Sequence, residues 1–239
     1  MTFKKSGNQR IQEEGHMKKQ LSCNIIVLTL VGFIALWAVV TDAWGYSDRF
    51  FGFSAGKYVY AYISRLIWTL PAILLIVKQS DSLRIGKKEL FSRPRFDMPL
   101  ISVITVSSAV VVVTMLISYK GFWINTKINP LLEMIKYIAV GCAEETVFRG
   151  WGYNALANVT SDRKAAVISS ALFVILHWCA YFVRLYRFKS FDLTAMLIQS
   201  FSAMLWGLIF CWMLKKSKTI WNPIIAHSVY DYMSVLLVG

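Results

Sequence analysis

Residues 21–40, LSCNIIVLTLVGFIALWAVV, contain no charged side chain, which is typical of a membrane-spanning helix. An α-helix rises about 1.5 Å per residue, so 20 such residues cross the hydrocarbon layer of a bilayer. The whole chain is similar in character, because 56% of its 239 residues are apolar and only 16% are charged. We therefore predict an all-α fold, a polytopic transmembrane bundle of about seven helices. The predicted spans are 21–40, 57–77, 99–119, 130–153, 165–184, 191–214 and 219–238.

The chain divides into a polar N-terminal segment and two sets of membrane helices. Residues 1–20 are polar and are predicted to lie in the cytoplasm. Residues 21–98 form the first set with a basic cytoplasmic loop, and residues 99–239 form the second. The Asn222-Pro223 pair at the start of the last span is a good cap and first-turn pair for a helix, and it also leaves open a short re-entrant piece before the final helix.

The net charge of +13 raises the question of a nucleic-acid partner, but its distribution indicates another origin. With the N-terminus inside, the larger share of the 26 lysines and arginines falls on the inner side of the predicted helices. This bias follows the positive-inside rule for a multi-pass protein of the cell membrane, here a bacterial plasma membrane, with a cytoplasmic N-terminus. The expected partner is therefore the lipid bilayer, and no nucleic acid is expected.

Six ionisable residues interrupt the apolar helices of the second set. An ionised group inside a membrane helix costs about 3 kcal/mol on insertion scales, so such groups are rare without a role. They occur in the stretches GCAEETVFRGW, SSALFVILHW and WNPIIAHSVYDY, and they are Glu144, Glu145, Arg149, His177, His227 and Asp231.

The spacing of these residues predicts how they share helix faces. Glu145 and Arg149 are four residues apart and can form an ion pair, whereas Glu144 points about 100° away and can face a cavity. His227 and Asp231 are also four apart and share a face. The alternative interpretation is structural: a buried ion pair, a local His–Asp hydrogen bond, and a lone His177 that bonds to a neighbouring helix.

Depth along the helices provides an independent argument for a single site. From the expected cytoplasmic edges, Glu144 lies ~14 Å deep, His177 ~18 Å, and His227 and Asp231 ~12 and ~18 Å, at ~1.5 Å per residue. Arg149 would lie nearer the surface, where its side chain can extend toward water. A carboxylate beside a neutral imidazole in a dry pocket can deprotonate a water, and this chemistry suits amide hydrolysis.

These three stretches resemble the CPBP family, which contains the CAAX prenyl protease 2, Abi and lysostaphin-resistance-like membrane proteins. The EExxxR pattern is Glu144, Glu145 and Arg149, the FxxxH pattern is Phe173 and His177, and the third pattern is His227 with Asp231. They occur in the family's order between about 140 and 232. The resemblance implies that residues 99–239 form the catalytic membrane domain of a glutamate-type intramembrane endopeptidase.

The resemblance also implies a role for each residue. Glu144 would be the general base and His177 would help to hold the water, with Glu145 and Arg149 in support. His227 and the residue at 231 would form the oxyanion pocket. Asp231 stands where Asn is more usual, and an ionised Asp cannot donate a hydrogen bond to an oxyanion. We therefore expect Asp231 to orient His227 as an acceptor.

Several alternatives remain open from the sequence. Glu144, His177 and His227 could form a three-ligand zinc site, although our expectation is that no cofactor or metal is needed. A non-catalytic immunity or regulatory scaffold protein of the same family would bind without cleaving. A transporter is disfavoured because the outer halves of the helices supply almost no polar residues. The expected substrate is a membrane-associated peptide or protein, and bacteriocin or pheromone processing is one such activity.

Overall fold

A computed structural model describes residues 21–44, 56–121 and 123–237, and the predicted cytoplasmic segment 1–20 lies outside them. The described residues contain helices and no strand, which confirms the all-α prediction. The helices are α1 (Cys23–Trp44), α2 (Gly56–Lys78), α3 (Lys87–Leu90), α4 (Met98–Tyr119), α5 (Pro130–Glu145), α6 (Asn154–Val159), α7 (Asp162–Phe188), α8 (Leu193–Ser217) and α9 (Trp221–Leu237). A π-helical segment, Thr146–Tyr153, joins α5 to α6 without a break.

Helices occur at all seven predicted spans, and five of them are long and apolar enough to cross a membrane. These five are α1, α2, α4, α7 and α8. The other two segments differ for physical reasons. The α5–α6 segment carries several charged side chains, and the 17 described residues of α9 are at the lower limit for a span. The chain is therefore a multi-pass membrane protein, and the two atypical segments contribute the carboxylates and His227.

Four of the helices begin at a side chain that caps the first turn. Each cap accepts a hydrogen bond from the backbone N–H three residues later, which satisfies one of the donors that a helix start leaves free. The caps are Asp97, Asn129, Ser161 and Asp192, with donor–acceptor distances of 3.2, 3.1, 3.4 and 2.9 Å. Proline follows within two residues at the first two, where its missing N–H costs no helical bond.

The re-entrant piece considered before the last helix is absent from the described residues. Only three residues, 218–220, separate α8 from α9, and Lys218 ends α8 with a left-handed φ of 64°. Helix α9 begins at Trp221 and continues through Pro223, because a proline in the first turn removes no helical hydrogen bond. Asn222 instead holds the segment between α3 and α4, since its side chain accepts from Arg95 N (2.9 Å) and donates to Arg95 O (2.8 Å).

Large aromatic side chains pack the first two helices against the π-helical segment. Trp68 of α2 donates from Nε1 to Phe33 O of α1 at 2.9 Å and packs against Phe148 with ring centroids 5.8 Å apart. Trp151 donates to Gln79 Oε1 at 2.9 Å and is 1% exposed. These contacts place α1 and α2 beside the helix that carries the ionisable residues.

Glycine permits the closest approach between α5 and α9. A Cβ placed on Gly141 would lie 2.4 Å from Ser228 Oγ and 3.0 Å from Ile224 O, so no larger residue fits without movement of α9. Gly141 is one helical turn before Glu145, and Ser228 follows His227 directly. The glycine therefore fixes the distance between the two helices at the level of the ionisable residues.

Candidate active site

All eight residues of the π-helical segment are buried, and the segment begins directly after the paired glutamates. A π-helix widens the turn and is found mostly at functional positions in proteins. Gly150 and Gly152 lie within it, and a Cβ on Gly152 would approach Leu30 Cδ2 to 2.9 Å. This irregularity was not predicted, although two glycines within three residues of a buried helix are the sequence signal for it.

Glu145 is the central residue of the site. Its side chain is fully buried, and Oε1 accepts from His227 Nδ1 at 2.7 Å and from Arg149 Nη1 at 3.2 Å. The second oxygen, Oε2, has no hydrogen-bond partner. The predicted Glu145–Arg149 pair is therefore present, and it extends to His227 on another helix.

Arg149 does not extend toward water, and the prediction that it lies near the surface is wrong. The residue is 0% exposed, and its guanidinium lies over the ring of Phe173 at 4.3 Å and near Phe210 at 5.6 Å. Aromatic rings from α7 and α8 enclose it, so the cation is stabilised by Glu145 and by the faces of these rings. Its Nε and Nη2 atoms have no hydrogen-bond partner.

His227 faces carboxylates through both ring nitrogens. Nδ1 is bonded to Glu145, whereas Nε2 lies 3.4 Å from Asp231 Oδ2 and 3.8 Å from Glu144 Oε2. The ring is stacked on Phe210, with centroids 5.2 Å apart. We expected Asp231 to orient this imidazole, but the nearer partner is Glu145. With Nδ1–H donated to Glu145, Nε2 is the nitrogen that faces the Asp231 and Glu144 carboxylates.

Glu144 points away from its neighbour, as the helix geometry predicts. Its side chain is 9% exposed, and the approach of Oε2 to His227 Nε2 is too long for a hydrogen bond. The carboxylate therefore lies beside the imidazole with its hydrogen-bonding capacity unused by the described protein groups. A water molecule can bridge a gap of this size.

His177 stands apart from the other five residues. Its Nδ1 lies 2.9 Å from Phe173 O on its own helix, and its ring meets the Phe173 ring edge-on at 4.6 Å. Phe173 in turn meets His227 edge-on at 6.2 Å, so one phenyl ring separates the two histidines. His177 lines a separate cavity of about 260 Å³ with Tyr181 of α7 and Gln199 of α8.

The zinc site of Glu144, His177 and His227, considered above as an alternative, is not formed in the part of the chain that the structure describes. No three side chains of His, Cys, Asp or Glu are arranged there to hold a metal ion. His177, one of the three ligands considered, contacts the Phe173 ring, which in turn contacts the His227 ring.

Comparison with protein-family models places this arrangement among known proteins. Residues 127–233 match the family described as type II CAAX prenyl endopeptidase, Rce1-like. The region belongs to the CAAX protease family. The match contains all six ionisable residues and leaves out α1 and α2. No curated protein and no solved structure matches the chain.

This CAAX protease region also contains residues of the site that the sequence analysis did not single out. Phe210 packs against His227, with ring centroids 5.2 Å apart, and its centroid lies 5.6 Å from the Arg149 guanidinium. Gly207, one turn before it on α8, leaves space for the guanidinium, because a Cβ there would lie 3.1 Å from Arg149 Nη2 and 2.7 Å from Ser170 Oγ. Both residues belong to α8, which contributes no ionisable side chain to the site. The ionisable residues of the sequence therefore gave no indication that α8 takes part.

Proposed function

We propose that the chain is an intramembrane endopeptidase that hydrolyses an amide bond with a water held between Glu144 and His227. The observation that carries the proposal is the orientation of His227: Glu145 binds Nδ1 at 2.7 Å, and Nε2 then faces Glu144 Oε2 across 3.8 Å. This arrangement places a carboxylate oxygen and an imidazole nitrogen on two sides of a gap that one water can bridge, beside the rings of Phe173 and Phe210.

The reaction needs only groups of the protein and one water. Glu144 takes a proton from the water, and the hydroxide oxygen bonds to the carbonyl carbon of the substrate. The resulting tetrahedral intermediate collapses when the proton passes from Glu144 to the leaving nitrogen and the C–N bond breaks. The products are a carboxylic acid and an amine, and Glu144 returns to its ionised form.

The neighbouring residues support this step through His227. The Glu145–Arg149 pair keeps the imidazole in place, since Glu145 Oε1 contacts both side chains. Asp231, at 3.4 Å from Nε2, stabilises the imidazole when it carries a proton. His177 lies outside this group, and we assign it to the substrate, because it lines an adjoining cavity and its Nε2 has no hydrogen bond within the described residues.

The family and the membrane helices support a substrate that is itself associated with the bilayer. The name of the matched family describes prenyl endopeptidases that act at a CAAX sequence. For this chain we propose the wider class, a lipid-anchored or membrane-embedded peptide, with bacteriocin or pheromone precursors as candidates. We also propose a bacterial plasma membrane and a cytoplasmic N-terminus; the distribution of lysine and arginine supports the orientation.

The proposal is tested by comparing peptides from membranes and culture medium of cells that express wild-type or Glu144→Gln protein at equal levels. Glu89→Gln is the matched control, because Glu89 is an exposed carboxylate on α3, outside the pocket. Peptides that accumulate as precursors only with Glu144→Gln would identify the substrate. An unchanged peptide profile together with a retained cellular phenotype would refute catalysis and favour the immunity or scaffold function.

A further inference from the structure

Basic side chains surround a cavity of about 270 Å³ at one end of the helix bundle. Its wall is built from the segment after α2, from the end of the π-helical segment and from the end of α8. The basic residues of the wall are Arg84, Lys215, Lys216 and Lys218. None of the six ionisable residues of the candidate active site lines this cavity, so it is a separate feature of the molecule.

One carboxylate offsets part of the positive charge around the cavity. Asp162 Oδ1 lies 2.6 Å from Arg84 Nη1, and its Oδ2 lies 2.7 Å from Lys215 Nζ. Lys216 and Lys218 form no ion pair within the described residues. The described wall itself contains no acidic residue, so the cluster keeps an excess of positive charge after Asp162 is counted. Such an excess attracts an anion.

Tyr153 adds a neutral hydrogen-bond donor to the wall of the cavity. The residue is 3% exposed, and its hydroxyl has no hydrogen bond to a described residue. Buried hydroxyls usually have a partner, which a ligand in the cavity would supply. A phenol is protonated at neutral pH and can therefore donate to an anionic oxygen.

Asn154 fixes the wall on the side of Tyr153. Its side chain accepts from Ile85 N at 2.7 Å and donates to Ile85 O at 2.8 Å and to Gly150 O at 3.2 Å. Its backbone oxygen accepts from Arg84 N at 3.3 Å. These bonds join segments that are distant in sequence, so Arg84 and Tyr153 are positioned before a ligand binds, which lowers the entropic cost of binding.

The cavity lies at the level where a bilayer has its lipid headgroups. The apolar helices α2 and α8 end at Lys78 and Ser217, and α7 begins at Asp162. All the basic residues of the wall are close in sequence to one of these helix ends. Headgroups lie just outside the hydrocarbon layer that such helices cross, and basic pockets between membrane helices bind anionic headgroups.

We propose that this cavity binds a phosphate group, and that the phosphate belongs to an anionic phospholipid such as phosphatidylglycerol. Lys216 and Lys218 supply charge that Asp162 does not neutralise, and Tyr153 donates a hydrogen bond to a phosphate oxygen. Tyr153 is the last residue of the π-helical segment that carries Arg149, so the bound lipid would hold the far end of that segment. Binding at this site does not depend on the proposed reaction.

The test is a lipid titration of purified protein in dodecyl maltoside micelles. Phosphatidylglycerol is compared with phosphatidylcholine, which has the same acyl chains and a zwitterionic headgroup. A lipid that binds the folded state raises the midpoint of thermal unfolding, which tryptophan fluorescence reports. We expect phosphatidylglycerol to give half of its effect at an about tenfold lower mole fraction than phosphatidylcholine, because charge-assisted hydrogen bonds hold only the anionic headgroup.

Two double variants separate the cavity from a general attraction between a basic protein and an anionic micelle. Lys216→Gln with Lys218→Gln should remove the preference for phosphatidylglycerol. Lys87→Gln with Lys88→Gln removes the same charge from exposed residues of α3 outside the wall and should keep that preference. Tyr153→Phe should weaken the response to phosphatidylglycerol about threefold or more and leave the midpoint without lipid unchanged, because only an unpartnered hydroxyl is lost.

Three results would overturn the assignment. One is an equal response to the two lipids, and another is an equal loss of the preference in the two double variants. The third is a rise of the midpoint with inorganic phosphate alone that requires Lys216 and Lys218 and equals the rise with phosphatidylglycerol, because the cavity would then hold a soluble phosphate compound. Glu144→Gln protein should respond to lipid as the wild type does, so failure of the proposed reaction would leave this result unchanged.

Discussion

Replacement of Glu145 by Gln should destabilise the protein far more than replacement of Glu144, although the two residues are adjacent in sequence. Glu145 is the only carboxylate in contact with Arg149 among the described residues, and both side chains are 0% exposed. Removal of one member of a buried ion pair costs about 3–5 kcal/mol, because the other charge is left uncompensated. The faces of the aromatic rings around the Arg149 guanidinium reduce this cost in free energy by about 1–2 kcal/mol. We therefore expect Glu145→Gln to lower the free energy of unfolding by about 3 kcal/mol.

Glu144→Gln should change stability by less than about 1 kcal/mol, because its carboxylate makes no hydrogen bond to a described protein group. Its effect should fall on activity, with a loss of about 10²–10⁴-fold if Glu144 is the general base. Unfolding is measured by denaturant titration in mixed micelles, with activity on the same preparations. A double-mutant cycle with Arg149→Met adds a check: the double variant should be more stable than the sum of the single changes predicts.

The opposite pattern would refute this reasoning. If Glu144→Gln destabilised the protein by several kcal/mol, its carboxylate would have a structural partner that the geometry lacks. If Glu145→Gln left stability unchanged, Arg149 would be compensated in another way. Additive effects of Glu145→Gln and Arg149→Met would show that the two side chains are not coupled, although they lie 3.2 Å apart.

Three further predictions concern the surroundings of this pair. Asp231→Asn should keep activity within about tenfold of wild type, because Glu145 still orients His227 through Nδ1; a larger loss in a peptide-cleavage assay would mean that the ionised carboxylate is needed. Gly141→Ala should lower the unfolding midpoint by an amount equivalent to about 1–3 kcal/mol, since its Cβ would clash with Ile224 O; an unchanged midpoint would show that α9 can move. His177→Ala should raise KM more than it lowers kcat, and the reverse split would place His177 in the chemical step.

The positions of the helices and the shared faces on them could be predicted from the sequence because both depend on local rules. Apolar stretches of about 20 residues predict spans, and i,i+4 spacing predicts that Glu145 and Arg149 meet. The same rule places Glu144 in a different direction, as the structure shows. Depth along the helices also correctly predicted that α5 and α9 bring their ionisable residues to one level.

The two wrong predictions, for His177 and Arg149, concern the direction in which a side chain points around its helix axis. The depth of a residue along the helix does not determine that direction. His177 lies at a suitable depth, but its imidazole turns to Phe173 O of its own helix and is separated from His227 by the Phe173 ring. Arg149 was expected to reach toward water, yet rings from α7 and α8 cover it. Which residues of a neighbouring helix fill the space beside a side chain depends on tertiary packing, and a single sequence does not contain that information in a local pattern.

The contrast between Glu144 and Glu145 shows how a fold can assign different roles to adjacent identical residues. The two side chains start about 100° apart, so Glu145 meets Arg149 and His227 Nδ1, whereas Glu144 approaches His227 from the side of Nε2. Full burial forces Glu145 to find charged partners, and those partners fix His227. Glu144 keeps slight exposure and no such partner, so its carboxylate remains available to a water. The availability of the proposed base is thus a consequence of the neighbour's burial, because the rigid pair on one side holds the imidazole that a water would share with Glu144.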